Sequence, residues 1–313
     1  MTERATLRTI DGRPVLRFER RLRHSPAKVW RAISDPAELA HWFPAEVEAE
    51  ARPGAPMRFT FPGEAVVDGT WDGEVLEVDP PKVYMFRWNL DVLRFELIPA
   101  GDGCLLVFTQ TIGGGGRGLL GAGRTATGWD TCLAFLAARL DGVPATPPDD
   151  TLSRTEAYIE EFGLAEGTVR ETQDGSELHF VRDLVWKPLA DVWSLLTEDT
   201  QLSDKPPVRA TNDHVPAGRL LHTDAPDELT YEWLHDNEPA GTVTWRFATD
   251  EELGVRVELT QTVPARLAHL RAEALAAWHV QLELFFAATQ GEIRCGWPAD
   301  RVAELTEHYR RVD

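Results

Sequence analysis

One phrase occurs twice in this chain, and it constrains the fold more than any other feature. Residues 104–111 read as an apolar strand ending in Thr109-Gln110-Thr111, followed by a glycine-dense loop at 113–123 and a helix from about 125 to 140. That helix carries Trp129, Leu133, Leu136 and Leu140 at steps of four, three and four, an apolar stripe that must pack on something. Between 149 and 151 residues later, Thr260-Gln261-Thr262 leads into Trp278, Leu282, Phe285 and Thr289. A strand ending in Thr-Gln-Thr, then Trp and Leu four apart on a helix, is an internal repeat.

With 313 residues, the repeat implies two domains, 1–165 and 166–313. No run approaches the roughly 20 apolar residues that span a bilayer, and Met1-Thr2-Glu3-Arg4 opens without the apolar segment of a secretory signal. Cys104, Cys132 and Cys295 have no metal-like or paired spacing, which suits thiols in the cytoplasm. The net charge is −19; residues 1–163 carry 18 basic and 24 acidic side chains, the remainder 14 and 27. An acidic field on both halves repels phosphate backbones and anionic lipid, so neither a nucleic-acid partner nor membrane docking is expected.

Each half opens with the same hairpin pattern, Asp11-Gly12 between 6–10 and 15–22 and Asp174-Gly175 between 168–172 and 178–184. A helix start follows in the first half, with Ser25 as N-cap, Pro26 at the first helical position and Val29, Trp30 and Ile33 on the buried side. Asp35-Pro36 starts a second short helix reaching Trp42-Phe43. Strands are expected near 46–51, 56–61, 65–78, 83–90, 93–99 and 104–111, separated by Pro, Gly and Asp turn signals. Short connections favour antiparallel pairing. The second half lacks about 16 residues, at the place of the long strand through Trp71 and Val75, so its sheet is expected to be smaller. A last helix, near 150–160 and near 300–310, closes each half. The expected fold is α+β: two helix-grip domains, each a curved antiparallel sheet around a long C-terminal helix with two short helices.

The first half resembles the SRPBCC superfamily of START and birch-pollen-allergen-like proteins. Its nearest type there is the C-terminal domain of the heat-shock-protein-90 ATPase activator. The resemblance rests on Ser25-Pro26-x-x-Val29-Trp30, Asp35-Pro36-x-x-Leu39-x-x-Trp42, residues 73–81, Phe86-x-Trp88 and Gly128-Trp129-x-x-x-Leu133. The second half matches only at its ends and at Pro226 and Trp233, and looks like a diverged copy. The resemblance implies a helix-grip fold and a hydrophobic cavity. It implies no single activity, because this fold hosts binders, cyclases, hydrolases and interaction domains.

Trp42, Phe43, Phe59, Phe61, Trp71, Trp88, Phe95 and Trp129 come from the three walls of the groove that such a fold forms. They line it for an apolar ligand, or they pack against each other as core. The run Gly113, Gly114, Gly115, Gly116 and Gly118 reads as a gate over the groove mouth, since glycine keeps many backbone states open. Gly116-x-Gly118-x-x-Gly121 also fits a dinucleotide fingerprint, but that motif needs a parallel βαβ unit. Asp68, Asp72 and Glu74 share a strand face opposite Trp71 and read as solvated; His41 is the other acid–base candidate. No nucleophile motif occurs. His279 and Glu283 lie i,i+4 on a helix, too few for a metal, and read as solvated. No catalytic residue, metal or cofactor is assigned. The expected function is binding of an apolar small molecule in the first domain, with the second as scaffold or partner surface. The alternatives are a co-chaperone module with a chaperone partner and a cyclase- or hydrolase-type enzyme using the same cavity.

Overall fold

The computed structural model describes residues 4–62, 70–184, 187–198, 202–250 and 254–312. The chain divides into two compact units, Met1–Phe162 and Gly163–Asp313. Each is a helix-grip domain, with a long helix laid across an antiparallel sheet.

In the first unit β1 (Thr6–Ile10) and β2 (Arg13–Leu22) form the hairpin through Asp11 and Gly12. Both turn residues have positive φ, 49° and 75°, the backbone that matches the strands' right-handed twist. Helix α1 (Pro26–Ser34) starts as expected: the Ser25 side chain accepts from the Lys28 N–H, and Pro26 occupies the first position. Helix α2 (Pro36–Leu39) is shorter than its pattern, with Asp35 as its cap; Trp42 and Phe43 follow in turns. Then come β3 (Glu46–Ala49), β4 (Pro56–Thr60), β5 (Thr70–Asp79), β6 (Val83–Trp88), β7 (Asp91–Ala100) and β8 (Gly103–Thr111). The sheet order is β1-β2-β8-β7-β6-β5-β4-β3, antiparallel at every step. The expected start of β5 at 65, and Asp68 with it, lie outside the described residues. The glycine-dense stretch, read as a loop, contains a helix of its own, α3 (Gly115–Leu120), before the long α4 (Ala122–Asp141) and α5 (Thr151–Glu161).

The second unit has β9 (Thr168–Thr172), β10 (Gly175–Asp183), α6 (Leu189–Thr197), β11 (Ala217–Asp224), β12 (Glu228–His235), β13 (Glu238–Asp250) and β14 (Gly254–Pro264). Helices α7 (Arg271–Thr289) and α8 (Ala299–Val312) end it. Its sheet order is β11-β12-β13-β14-β10-β9. Because β11 pairs with β12 as β5 pairs with β6, the strands without a counterpart among the described residues are β3 and β4. This corrects the expectation that β5 is lost: a sheet sheds edge strands more easily than an internal one. Among the described residues, one short α-helix, α6, and a single 3-10 turn at Val208–Ala210 stand where the first unit has two short α-helices. No helix among the described residues is long and apolar enough to cross a membrane.

The two final helices are fastened by matching devices. The Tyr158 hydroxyl donates to Asp130 Oδ2 (2.6 Å) and accepts from the Ala5 N–H (2.9 Å). The Tyr309 hydroxyl accepts from the Gly167 N–H (2.9 Å) and lies 2.9 Å from His279 Nδ1. In both units a tyrosine thus ties the last helix to the start of the unit and to the long helix.

Candidate functional site

Strand parity builds the inner face of the first unit. On β6 it turns Tyr84, Phe86 and Trp88 toward α4; on β7, Asp91, Leu93 and Phe95; on β8, Leu106, Phe108 and Gln110. Helix α4 answers with Trp129, Leu133, Leu136 and Leu140, all buried.

All eight aromatics singled out in the sequence join one ring network. Ring centroids lie 4.5 Å apart for Phe95–Phe108 and Phe108–Trp129, 5.6 Å for Phe43–Trp129, 6.0 Å for Phe43–Phe59 and 5.0 Å for Phe59–Trp88. Trp42 reaches Phe95 at 6.1 Å and donates its indole N–H to the Ala32 carbonyl. Such contacts are the spacing of favourable aromatic pairs. Trp42, Phe43, Phe59, Phe95 and Trp129 are buried, whereas Phe61, Trp71 and Trp88 are partly exposed, with Phe61 6.1 Å from Trp71 and 5.8 Å from Trp88. The sheet–helix interface is therefore filled near α1 and α2 and presents an aromatic surface at the β4–β5–β6 end.

Two polar atoms in this apolar frame have no hydrogen-bond partner among the described residues: the Trp88 indole nitrogen and the Tyr84 hydroxyl. Burial pushes the Tyr84 phenol up to about 12, so it stays protonated. An unsatisfied buried donor costs on the order of 1–3 kcal/mol.

Sequence reasoning missed the polar centre of the site. Asp91 faces inward and accepts hydrogen bonds from the Gly113 N–H (2.7 Å) and from Gln110 Nε2; Gln110 Oε1 accepts in turn from the Trp129 indole. Burial raises the Asp91 pKa, while the hydrogen bonds from Gly113 and Gln110 and the Arg124 charge hold it back. Both carboxylate oxygens are thereby used to end a chain of donors. Asp91 is a clamp on the glycine segment rather than a free acid or base.

The other acid–base candidates point away: His41, Asp72 and Glu74 are exposed. The fingerprint glycines Gly116, Gly118 and Gly121 sit in and beside α3 on a wholly antiparallel sheet, so the parallel unit needed for a dinucleotide is absent from the described residues.

His279 and Glu283 correct their solvated reading. His279 is buried on α7, with Nε2 3.3 Å from Glu283, which also pairs with Arg301 at 3.0 Å. Burial alone would raise the Glu283 pKa; hydrogen bonds and charge from His279 and Arg301 outweigh it and hold the group below its ordinary 4.5. A depressed folded pKa contributes stability above pH 4.5 that is lost as the pH falls through the folded value. Glu283→Gln is expected to lower stability by about 1–3 kcal/mol at neutral pH. Urea midpoints of the variant and the parent should converge as the pH drops below the carboxylate range; a gap that stays constant with pH would contradict the linkage.

Among solved structures, a conserved protein of Enterococcus faecalis, EF2215, is 22% identical, with coverage of 51% of this chain and 90% of that one and a TM-score of 0.44. CalU16 of Micromonospora echinospora is 23% identical, covering 52% and 99%, with a TM-score of 0.40. DynU16, a putative protein in the dynemicin biosynthetic locus, is 19% identical, covering 88% and 98%, with a TM-score of 0.39. No curated protein matches the chain. Residues 23–141, lying within the first helix-grip unit, match the family model described as Activator of Hsp90 ATPase homolog 1-like protein.

Proposed function

We propose that the first unit binds an uncharged apolar small molecule on the Phe61–Trp71–Trp88 surface, and that the second unit is a diverged copy of the first. The observation that carries this reading is the aromatic surface itself. Three adjoining rings there are partly exposed, and one of them, Trp88, meets the buried Trp129 with ring centroids 6.4 Å apart. Burying one large apolar side chain contributes about 1.5–3 kcal/mol, so two or three rings supply useful affinity.

The glycines take two parts in this scheme. Gly113 is pinned by Asp91, while Gly114 and Gly115 have positive φ, 71° and 61°, and a side chain added at Gly115 or Gly116 would meet open space. The turn from Gly114 to Gly116 is thus the gate, hinged on a fixed foot at Gly113.

N-phenyl-1-naphthylamine, a neutral apolar fluorophore, tests the reading on the full chain. It is expected to bind with enhanced emission. Trp71→Ala, at a partly exposed position, should weaken it about tenfold or more, the equivalent of the lower end of that burial range. Equal binding by Trp71→Ala would move the site elsewhere. No binding at all, together with stimulation of a chaperone ATPase by the chain, would replace the ligand reading with the co-chaperone role of the family's name.

A further inference from the structure

The second unit repeats the Gln–Trp pair but not the carboxylate that completes it. Gln261 Oε1 accepts from the Trp278 indole at 2.6 Å, as Gln110 accepts from Trp129. In the first unit Gln110 pairs across the sheet with Leu93, two residues after Asp91. In the second, Gln261 pairs with Val243, two residues after Gly241. Gly241 therefore stands at the register position of Asp91. The other donor that Asp91 serves is gone as well: Pro264, three residues after Gln261 as Gly113 is three after Gln110, has no N–H. Gln261 is 1% exposed, and its Nε2 makes no hydrogen bond among the described residues.

Gln261 also lines a recess of about 190 Å³. Its buried wall is Val215, Trp233, Val263 and Ala274 beside Gln261. At the rim, His214 pairs with Glu273 at 2.8 Å and His235 with Asp236 at 3.5 Å. The Trp233 indole N–H already donates to the Thr262 carbonyl at 2.8 Å, so Trp233 offers the recess only its ring.

We infer that this recess is a second ligand site, one that takes a single-ring, uncharged carbonyl compound whose oxygen accepts from Gln261 Nε2 where the first unit uses Asp91. The size follows from the volume, which lies below the roughly 300–1,000 Å³ of sites for drug-sized ligands. The apolar ring follows from the wall. The acceptor follows from the unpaired amide, which has one kind of partner to seek. The absence of charge follows from the rim: Glu273 and Asp236 bring two carboxylates to the mouth, in a half of the chain with 14 basic and 27 acidic residues. A carboxylate ligand would be repelled.

The test compares acetophenone with α-methylstyrene, the same shape with a methylene in place of the oxygen, on the full ¹⁵N-labelled chain. Acetophenone is expected to shift the Gln261 side-chain amide and the Trp233 indole resonances and to bind at least tenfold more tightly. Gln261→Glu keeps an acceptor for Trp278 but removes the amide donor; it should cut acetophenone binding tenfold and leave α-methylstyrene unchanged. Ala274→Phe, which fills the recess, should abolish both. Equal affinities of the parent for the two probes, or no shift at Gln261 and Trp233 at any soluble concentration, would overturn the proposal. That comparison on the parent decides even if Gln261→Glu fails to fold. It is also independent of N-phenyl-1-naphthylamine binding to the first unit.

Discussion

Trp278→Ala is expected to be among the most damaging single substitutions in the second unit, lowering its stability by about 3–5 kcal/mol, the usual range for removing a buried large aromatic. Trp278 is fully buried, edge-on to Trp245 at 6.2 Å, on a helix with every residue from Ala274 to Leu282 buried. Two losses combine. The ring's volume disappears from a packed core, where relaxation recovers little. Gln261 Oε1 then loses its donor in a place that water does not reach freely. Trp278→Phe separates the two, since it keeps most of the ring and drops the N–H. Its cost should be about 1–3 kcal/mol, that of a stranded buried polar group. Urea denaturation followed by circular dichroism reads both. A Trp278→Phe variant as unstable as Trp278→Ala would mean that the hydrogen bond outweighs the volume; a cost below about 1 kcal/mol for Trp278→Ala would contradict the packing.

That bond also explains why the Thr-Gln-Thr and Trp pattern was visible twice. Gln110 and Gln261 are buried amides whose acceptor is matched by an indole from the long helix, so strand and helix carry complementary residues at a fixed separation. The hairpin at Asp11-Gly12 and the cap at Ser25-Pro26 were legible for the same kind of reason, because local backbone chemistry decides them. Asp91 was not. The turn between β6 and β7 is tighter than the strand pattern suggests: Asn89 takes positive φ, 52°, and Asp91 is already the first residue of β7. Only with that turn placed does alternation put Asp91 on the same face as Leu93 and Phe95. Asn89 was the available signal, since asparagine tolerates that backbone better than most residues. His279 was misread for a tertiary reason. Its i,i+4 spacing to Glu283 suits a solvated helix face, yet α8 covers that face through Tyr309 and Arg301. Which of the eight aromatics remain partly exposed is likewise a property of the assembled sheet and helix. No spacing along the chain separates Phe61 from Phe59 in that respect.

Gly118→Ala and Gly116→Ala, two residues apart, are expected to shift stability in opposite directions. A mobile glycine run predicts that both substitutions stabilise, because alanine narrows the unfolded ensemble and favours helix by about 0.4–1 kcal/mol. At Gly116 this holds: the residue is helical, and an added Cβ meets nothing within 4 Å. At Gly118 the Cβ would lie 1.9 Å from the Gly113 carbonyl oxygen and 3.1 Å from Ile112 Cγ2. The obstructing atom is backbone and cannot rotate away. Gly113 cannot easily retreat either, because its own N–H is held by Asp91 and its Cα faces the Leu90 carbonyl, with an added Cβ only 2.4 Å from that oxygen. The expected cost of Gly118→Ala is therefore about 1–3 kcal/mol, as for other overpacked sites. Thermal unfolding of the two variants beside the parent reads the sign directly. If both stabilise, Gly113 and Gly118 yield together and the whole segment moves as the gate. If only Gly118→Ala destabilises, motion is confined to the turn between Gly114 and Gly116, and Asp91 is the residue that fixes its foot.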